Sequence, residues 1–566
     1  MLKTIIMVRS AAILLGCVLM ADGFAAGSCS IDNNRLDRGE KSPFMICGKD
    51  IPQNFELEGL VEAGITVDYT QWIRRCAPER KERGLYLWLS AGSESVSARV
   101  GIRNPETGER VCSELAIEVP PTVQLGDAVL TPIRHPDGNT YRLDIKSGDA
   151  GRLGDACAGG IEFPRSARWP AARLLSDQEV AMVATGSGKF GPSQWYSLPQ
   201  STARRKQAPV ESLVCDKKQL TAYVRVTGQQ RFPLKVILPE LGGKHQGQMG
   251  IVKVALPEPE WADSMRDKDA KFIDVNGYRT RYFDSGSGPD TLILLHGGQP
   301  DPISPTAQSW QQNFAALAKE FRVIAFDNLG HGYTDNPRTP ADYEAYYERV
   351  AEHLYGFIEA LGLGRVHLVG HSQGGWPVMR MALDHPKLVR CVISVDTVLA
   401  PFDRQGASTR NLAYTLTSIT PAGGATVESL FRDSEFTAFT YNNLRWEDAE
   451  RRYELSRRPE LEEARAAMAA VRMNPGNPYF RGLRDNTLKE LAAGKLKVPH
   501  LVIWGRNDPL ADFSLGLQFF DIAGANTART ELWAVNRAGH SPMVEYPEAF
   551  NEAVVGFCGG FRSKIN

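Results

Sequence analysis

The sequence has almost no net charge, and it lacks long apolar runs. Its 566 residues carry 65 Lys and Arg against 66 Asp and Glu, a formal net charge of −1. Because nucleic-acid-binding chains show a basic footprint, this balance argues against a nucleic-acid partner. No segment reaches the roughly 18 uninterrupted apolar residues of a membrane-spanning helix. With 43% hydrophobic and 23% charged residues, the composition is that of a multidomain globular chain, and it excludes intrinsic disorder and a polytopic membrane protein.

Cysteine pairs with the spacing of a metal or redox site are also missing. None of the nine cysteines lies in a Cys-x-x-Cys pair, so we predict no metal site and no cofactor. Eight cysteines remain when Cys17 is set aside with the N-terminal segment, and an even number in an exported chain favours disulfides whose pairing stays open. The eight are Cys29, Cys47, Cys76, Cys112, Cys157, Cys215, Cys391 and Cys558.

Residues 1–26 have the pattern of a secretory signal peptide. Lys3 and Arg9 precede a short apolar run, and small residues follow that run. The run is too short to span a bilayer as a mature helix. We therefore expect an exported protein, either periplasmic or secreted. The motif Leu14-Leu-Gly-Cys17 also matches a lipobox, so a lipid anchor at Cys17 stays open as an alternative.

Residues 27–264 are predicted to be β-rich. Short runs of alternating or β-forming residues are separated by turn signals such as Pro105-Glu-Thr-Gly108. We predict an all-β, sandwich-like and disulfide-stabilised region that contains one or two immunoglobulin-like modules. The predicted strands lie at 55–60, 65–69, 85–89, 96–102, 115–119, 140–145, 222–226 and 234–238.

In residues 265–566 the pattern changes to buried strands that alternate with helical stretches. A hairpin is predicted at 272–283, because Asn276-Gly277 is a type I′ turn signal. The alternation after it, including a helix at 342–363, predicts an α/β domain with a mostly parallel sheet. A polar, helix-favouring insertion at 399–490 predicts a helical cap. Further strands are predicted at 291–295, 322–326, 366–369, 391–395, 500–504 and 530–534.

The motif Gly370-His371-Ser372-Gln373-Gly374 directly follows the predicted strand 366–369 and precedes a helical stretch. A strand, a sharp turn and a helix form a nucleophile elbow, which exposes a serine hydroxyl at the end of a sheet. Glycines are needed on either side because the backbone passes close to itself there. We therefore predict that Ser372 is a nucleophile and that His371 contacts the substrate.

A serine nucleophile needs a base, and the base needs an orienting acid, in the chain order Ser, Asp, His. Asp508 follows a predicted strand in Trp504-Gly-Arg-Asn-Asp508, and His540 follows the last predicted strand. We therefore predict Ser372, Asp508 and His540 as the catalytic residues. Asp396, at the end of another predicted strand, is left open as an alternative acid.

Catalysis at a carbonyl also needs N–H groups that stabilise a developing oxyanion. One such group is expected at Gln373, the residue after the nucleophile. The loop His296-Gly-Gly298-Gln299, which follows an early strand, is expected to supply the other at Gly298 or Gln299.

Together these motifs resemble the α/β-hydrolase superfamily over about residues 268–560. Within it the sequence looks most like capped meta-cleavage product hydrolases, which cleave carbon–carbon bonds of dienoates, and carboxylesterases. The resemblance to the former includes Ser456-Arg457-Arg458-Pro459-Glu460 and implies that Arg457 binds a substrate carboxylate. The chain departs from that family at His371 and at Ser541, where Asn and Trp are usual. The N-terminal region resembles no family that we recognise.

The sequence therefore predicts an exported serine hydrolase that cleaves carboxylic esters of small molecules. Carbon–carbon hydrolysis of the meta-cleavage type stays open. So does a binding or adhesion protein with a secondary hydrolase domain, in which Trp72, Trp88 and Trp195 line a ligand face. Because every catalytic candidate lies after residue 290, the β-rich region is expected to be dispensable for the chemical step. No oligomeric state is predicted.

Overall fold

A computed structural model describes the two halves of the chain to different extents. In the C-terminal half it describes residues 263–300, 305–399, 425–439, 444–471, 477–527 and 529–561. In the N-terminal half it describes residues 29–31, 36, 41–73, 76, 82–92, 94–119, 122–124, 128–132, 140–146, 161, 163, 172–175, 213–215, 219–226, 234–238 and 249–254. The predicted signal peptide, with Cys17, and Trp195 lie outside these residues. Within them, no helix is long and apolar enough to cross a membrane.

The first strands of the chain form a β-sandwich. They are β1 (Ser30–Ile31), β2 (Lys41–Gly48), β3 (Glu56–Glu58), β4 (Ile65–Ile73), β5 (Arg83–Ala91), β6 (Ala98–Arg103) and β7 (Arg110–Ile117). One antiparallel sheet has the order β1-β2-β5-β4, and the other has the order β3-β6-β7. Side chains from both sheets, among them Leu87 and Ile102, share one buried core, as expected for two sheets packed face to face.

The next strands form a second pair of sheets. They are β8 (Thr122–Gln124), β9 (Ala128–Pro132), β10 (Thr140–Lys146), β11 (Ala172–Leu174), β12 (Leu213–Cys215), β13 (Gln219–Val226), β14 (Leu234–Leu238) and β15 (Met249–Val254). The sheet β11-β13-β10-β9, which β12 joins at β13, shares a core with the sheet β14-β15-β8. The all-β prediction is thus confirmed, whereas the domain boundaries and the immunoglobulin-like assignment stay predictions.

Disulfides stabilise the first sandwich, as predicted. The two bonds are Cys29–Cys112 and Cys47–Cys76. The prediction is wrong for Cys391 and Cys558, which are buried and form no disulfide bond. Both lie in the apolar core of the C-terminal half, where a thiol packs as a small hydrophobic side chain. The side chains of the other two N-terminal cysteines are not described.

The C-terminal half is built on one sheet of eight strands. They are β16 (Lys271–Val275), β17 (Tyr278–Ser285), β18 (Thr291–Leu295), β19 (Arg322–Phe326), β20 (Val366–His371), β21 (Val389–Val395), β22 (His500–Gly505) and β23 (Thr530–Val535). Their order is β16-β17-β19-β18-β20-β21-β22-β23. Only the pairs formed by β17 are antiparallel, so the mostly parallel sheet is confirmed.

Helices cover both faces of this sheet. Successive residues of a strand point to opposite faces, so Leu292 and Leu294 enter one buried cluster, and Ile293 and Leu295 enter the other. The helices outside the predicted cap are Gln311–Leu317, Pro340–Glu344, Tyr346–Ala360, Gly375–Asp384, Phe513–Gly524, Pro542–Glu545 and Pro547–Gly559. This layered α/β architecture confirms the predicted fold class.

More helices lie between β21 and β22, where a cap was predicted. We call Val427–Thr437 the first cap helix and Trp446–Ser456 the second cap helix. Helices Pro459–Val471 and Pro478–Ala492 follow before the chain returns to the sheet. The predicted cap residues 400–424, 440–443 and 472–476 lie outside the described residues.

Two of the tryptophans proposed for a ligand face are engaged in packing. Trp88 is buried, and its ring meets Trp446 of the second cap helix edge to face with 5.1 Å between centroids. Trp72 is half-buried, and its indole N–H donates to the carbonyl of Ile51 over 3.0 Å. The ligand-face interpretation is therefore wrong for Trp88, because a helix of the C-terminal half covers it.

Candidate active site

The turn after β20 holds Ser372 in a backbone conformation that few residues adopt. Its φ is 51°, as in the strained turn of a nucleophile elbow. Two glycines allow the close backbone approach. A Cβ at Gly370 would lie 2.4 Å from the carbonyl oxygen of Gly374, and a Cβ at Gly374 would lie 2.5 Å from that of His296. The helix Gly375–Asp384 then begins directly behind the serine.

Ser372, His540 and Asp508 form a chain of hydrogen bonds at the carboxyl end of the sheet. Nε2 of His540 lies 3.0 Å from Oγ of Ser372, and Nδ1 lies 2.8 Å from Oδ2 of Asp508. Because the carboxylate accepts, Nδ1 carries the proton and Nε2 is free to accept the serine proton. The structure thus brings together the three residues predicted from the sequence, in a geometry suited to proton transfer.

The Asp508 carboxylate is held by the chain that follows β22. Its Oδ1 accepts the N–H groups of Leu510 and Ala511 at 2.7 Å and 3.1 Å, and its side chain is fully buried. One oxygen is thereby fixed by the backbone, while the other faces His540. This arrangement orients the imidazole of His540.

The alternative acid, Asp396, lies beside Asp508 but takes a different contact. Its Oδ1 accepts the N–H of Gly505 over 2.9 Å. Burial, together with the neighbouring Asp508 carboxylate, raises the pKa of Asp396 well above its usual range. The raised pKa favours the protonated form of Asp396 over the carboxylate. The hydrogen bond of His540 goes to Asp508, which makes Asp508 the orienting acid of this arrangement.

The loop after β18 approaches Ser372 through a glycine that sequence reasoning did not select. A Cβ at Gly297 would lie 2.7 Å from Cβ of Ser372, whereas one at Gly298 would lie 2.4 Å from Pro305. Gly298 has a φ of 81°. The side-chain Oε1 of Gln299 is buried without a described partner. The loop thus lies against the nucleophile, and the predicted oxyanion roles of Gly298 and Gln299 stay predictions.

Buried side chains hold both sides of the candidate oxyanion site. Asn328 donates its backbone N–H to Nε2 of His296 over 3.0 Å. The ring proton of His296 is therefore on Nδ1, which donates to the carbonyl of Gly297 over 2.7 Å. Burial lowers the pKa of His296. On the elbow, the side chain of Gln373 accepts the hydroxyl of Tyr347 over 2.8 Å. The backbone N–H of Gln373 stays the predicted oxyanion donor.

His371 turns toward the main chain of His540. Its Nε2 donates to the carbonyl oxygen of His540 over 2.7 Å. Burial lowers the pKa of His371 to about 3, so the ring is neutral and donates from this one nitrogen. The ring thus holds the candidate base from the nucleophile side, a contact that sequence reasoning missed. Its predicted contact with substrate stays a prediction.

Comparisons with known proteins show the family of the C-terminal half. A family model for the alpha/beta hydrolase fold matches residues 290–547. A 2-hydroxymuconate semialdehyde hydrolase of Pseudomonas sp. (strain CF600) is 30% identical over 281 residues, which cover 50% of this chain and 90% of that protein. The chain belongs to the α/β-hydrolase family. This confirms the resemblance drawn from the sequence motifs, and it concerns the C-terminal half.

The α/β-hydrolase half is similar to further proteins of this kind. A 2-hydroxy-6-oxononadienedioate/2-hydroxy-6-oxononatrienedioate hydrolase of Cupriavidus pinatubonensis is 29% identical over 308 residues, which cover 52% of this chain and 94% of the relative. A solved meta-cleavage product hydrolase from Pseudomonas fluorescens IP01 is 27% identical, covers 51% of this chain and 97% of its own, and has a TM-score of 0.41.

Arg457, the candidate carboxylate-binding residue of this α/β-hydrolase, lies at the end of the second cap helix. It is exposed, and its guanidinium lies over the ring of Tyr453 at 5.5 Å. The neighbouring Arg458 instead donates to the carbonyl of Gly332. Among the described residues, no contact links Arg457 to Ser372, so its role in binding substrate stays a prediction.

Two further residues hold the His540 loop of the α/β-hydrolase and were missed from the sequence. The backbone N–H of His540 donates to the carbonyl of Thr437 over 2.7 Å. The buried carboxylate of Glu545 accepts the N–H groups of Gly539 and Phe439 at 2.7 Å and 2.9 Å. The loop that carries the base is thereby tied to the first cap helix. Glu545 lies in Val544-Glu-Tyr-Pro547, close after His540 in the chain, and this position was the available sequence signal.

In the described part of the α/β-hydrolase, two groups of side chains lie close enough to share a metal ion. Within each group the candidate ligand atoms lie within 4.8 Å of one another. The groups are Asp396–Asp508–His540 and His367–Cys391–Cys558. The first group includes the hydrogen bond between His540 and Asp508. In the second, Nδ1 of His367 lies 3.0 Å from Sγ of Cys391.

Proposed function

We propose that the α/β-hydrolase half is a serine hydrolase in which Ser372 attacks the carbonyl carbon of a small-molecule substrate. The observation that carries this proposal is the hydrogen-bond chain from Ser372 through His540 to Asp508. As Oγ attacks, its proton passes to Nε2 of His540, and the Asp508 carboxylate stabilises the imidazolium that forms. The backbone N–H of Gln373 and one from the loop at 297–299 stabilise the oxyanion.

The leaving group then departs, and water releases the acyl group from the enzyme. The imidazolium of His540 gives its proton to the leaving group, and an acyl-enzyme ester remains on Ser372. Water then gives a proton to His540 as it attacks the ester carbonyl, and the serine recovers that proton as the acid leaves. One water molecule is consumed for each bond that is cleaved.

We propose dienoates of the meta-cleavage type, in which the attacked carbonyl is a ketone or an aldehyde, as the first substrate class, since the named relatives act on such compounds. In these substrates the bond that breaks joins the attacked carbonyl carbon to another carbon. That second carbon takes up a proton as it leaves, just as the alcohol oxygen does when an ester is cleaved. The fold itself does not fix the substrate, so this class rests on the relatives.

Carboxylic esters are the second candidate class, and the position of Arg457 favours them. This arginine is exposed over Tyr453, so the described contacts do not aim it at an acidic substrate. Ser541 also stands where the meta-cleavage relatives usually have Trp. If Arg457 does bind a carboxylate, Arg457→Lys lowers kcat/KM for acidic substrates by about tenfold or more, since lysine cannot form paired hydrogen bonds. Neutral esters are then unaffected and serve as the control.

A two-substrate comparison tests the proposed function. Purified full-length protein is assayed with 2-hydroxy-6-oxo-6-phenylhexa-2,4-dienoate and with a short p-nitrophenyl ester, and Ser372→Ala is the control for both. A larger kcat/KM for the dienoate supports carbon–carbon hydrolysis, and a larger value for the ester supports esterase activity. Turnover of neither compound, or equal turnover by Ser372→Ala, contradicts the proposal.

We also propose that the protein is exported. The pattern of residues 1–26 supports this, and so do Cys29–Cys112 and Cys47–Cys76, because structural disulfides persist in oxidising compartments. Cell fractionation and the N-terminal residue of the mature protein test the proposal. A mature chain that begins near residue 27 indicates a cleaved signal peptide, and one that begins with a lipidated Cys17 indicates an anchor. Recovery of the uncleaved chain in the cytoplasm contradicts export.

A further inference from the structure

The first cap helix, Val427–Thr437, contacts the N-terminal sandwich and the loop that carries His540. Residues three or four apart share a face of a helix. Arg432, Glu435 and Phe436 lie on the face toward the sandwich, while Asp433 and Thr437 lie on a neighbouring face toward His540. Any movement of this helix relative to the sandwich therefore moves the contacts of the candidate base.

On the sandwich side, the helix completes an apolar core with the sheet β1-β2-β5-β4. Buried side chains of both halves form one cluster, and the partly buried Val544, close after His540, packs against it. The cluster contains Met45, Cys47, Tyr69, Ile73, Cys76, Tyr86 and Trp88 from the sandwich, and Leu430, Phe431, Phe436, Ala438, Leu444, Trp446 and Ala449 from the cap. Because this core needs both partners, the sandwich is part of the packing of the cap.

Polar contacts in this core fix the helix in one position. The hydroxyl of Tyr86 donates to the buried carboxylate of Glu435 over 3.1 Å. The guanidinium of Arg432, only 1% exposed, donates to the side chain of Gln71. Tyr69 donates to the same oxygen of Gln71 over 2.7 Å. A buried charge without hydrogen bonds is costly, so sliding or rotation of the helix would be opposed strongly.

On the other side, the same helix holds the candidate base. The carbonyl of Thr437 accepts the N–H of His540 over 2.7 Å. Asp433, paired with Arg452 of the second cap helix over 3.1 Å, lies close enough to His540 to interact with it electrostatically. Proton transfer from a serine depends on reacting atoms about 3 Å apart, and small displacements slow it steeply.

We propose that the sheet β1-β2-β5-β4 positions His540 for catalysis by holding the first cap helix, and that Tyr86 and Gln71 are positioning residues. This inference rests on the proposed roles of Ser372 and His540. It gives the N-terminal sandwich a task in the reaction and replaces the expectation from the sequence that the β-rich region is dispensable for the chemical step.

The test compares two changes that each remove one buried tyrosine hydroxyl from full-length protein. Tyr86→Phe removes the hydrogen bond to Glu435 and the acceptor of the Trp88 indole N–H. Tyr141→Phe is the matched control, since Tyr141 is buried in the core of the second pair of sheets. We expect Tyr86→Phe to lower kcat about tenfold, as loss of these buried hydrogen bonds allows, with KM within about twofold. Tyr141→Phe should match the wild type.

A second measurement follows the same linkage without relying on activity. Amide hydrogen exchange, read by mass spectrometry over residues 537–545, should be faster in Tyr86→Phe than in the wild type and in Tyr141→Phe. Glu435→Gln keeps an acceptor for the Tyr86 hydroxyl and should therefore retain most of the wild-type rate. Gln71→Leu removes the contact between Gln71 and Arg432 and should reproduce the effect of Tyr86→Phe. It therefore tests the same inference if Tyr86→Phe does not fold.

Wild-type kinetics and exchange in both Tyr86→Phe and Gln71→Leu would overturn the inference. Equal losses in Tyr141→Phe would overturn it as well, because they would indicate a general effect on the β-rich region. A wild-type protein that hydrolyses no substrate contradicts the proposed function instead, and hydrogen exchange then decides the inference by itself.

Discussion

The backbone N–H of His540 donates to the carbonyl oxygen of Thr437 over 2.7 Å, which joins the candidate base to the cap, while its carbonyl accepts from His371 of the strand that precedes the nucleophile. The residue before His540, Gly539, has no space for a side chain, since a Cβ there would lie 2.2 Å from the carbonyl oxygen of Thr437. The candidate site is therefore assembled from two layers whose contact must be tight.

Substitution at Gly539 tests how tight that contact is. Gly539→Ala should push the His540 loop away from Thr437 and lower kcat by about tenfold or more, because the base leaves its position beside Ser372. Gly364→Ala is a matched control, since a Cβ at Gly364 meets nothing within 4 Å. Steady-state kinetics of both variants decide the point. Equal activity of Gly539→Ala and Gly364→Ala would contradict the close packing.

The two neighbouring aspartates should differ sharply in their effect on the reaction. Asp508→Asn should lower kcat by about a thousandfold or more in a folded protein, because an amide cannot stabilise the imidazolium of His540. Asp396→Asn should cost less than about tenfold, since Asp396 makes no described hydrogen bond to His540 and its contact with Gly505 needs only an acceptor. Kinetics of both variants are the measurement. A reversed order of the two effects would assign the orienting role to Asp396.

Buried neutral histidines should make the α/β-hydrolase half sensitive to acid. Burial lowers the pKa of His500 to about 3, whereas in the unfolded chain it is about 6.5. The stability that neutral His500 contributes is therefore complete above about pH 6.5 and is lost as the pH falls toward 3. His500→Gln should make the dependence of the unfolding free energy on pH shallower by up to about 1.4 kcal/mol per pH unit in that window.

Urea unfolding at several pH values from 7 to 4 measures this dependence, with the transition of the α/β-hydrolase half followed separately from that of the sandwich. The wild type and His500→Gln are compared under identical conditions. Parallel curves for the two proteins would show that His500 does not bind its proton differently in the folded and unfolded states.

Strands were the part of the fold best predicted from the sequence. The strands Thr291–Leu295 and Arg322–Phe326 coincide with their predicted bounds. Both are short apolar runs between polar residues, a pattern that is typical of a buried strand in an α/β fold. The predicted helix 342–363 is instead two helices, Pro340–Glu344 and Tyr346–Ala360. The first has its own capping box at Thr339, a start signal that the prediction overlooked.

The contact between the two halves was not predicted from the sequence, although the cap insertion at 399–490 was. The strand Lys41–Gly48 contains a proline and does not alternate, so its sequence gives little strand signal. The first cap helix carries Arg432, Asp433 and Glu435, which are all buried. Such residues usually indicate a solvated surface. Only the partners supplied by the sandwich and the second cap helix explain their burial.

The candidate site, too, could be predicted from the sequence only in part. Ser372, Asp508 and His540 could be selected because each lies in a local motif directly after a predicted strand. The approach of Gly297 to Ser372 and the contacts of Thr437 and His371 with His540 could not, because they involve main-chain atoms and elements far apart in the sequence bring them together. Local motifs thus selected three side chains that the fold brings together, and tertiary packing decided what holds them.

Covalent labelling of Ser372 tests the central claim most directly. Wild-type protein is treated with a fluorophosphonate, and intact mass, peptide mapping and residual hydrolysis are recorded alongside Ser372→Ala. The account predicts one adduct per chain on the peptide that contains Ser372, loss of turnover in step with labelling, and no adduct in Ser372→Ala, whose kcat falls by about a thousandfold or more. Labelling that persists in Ser372→Ala, or turnover within about tenfold of the wild type, would contradict it.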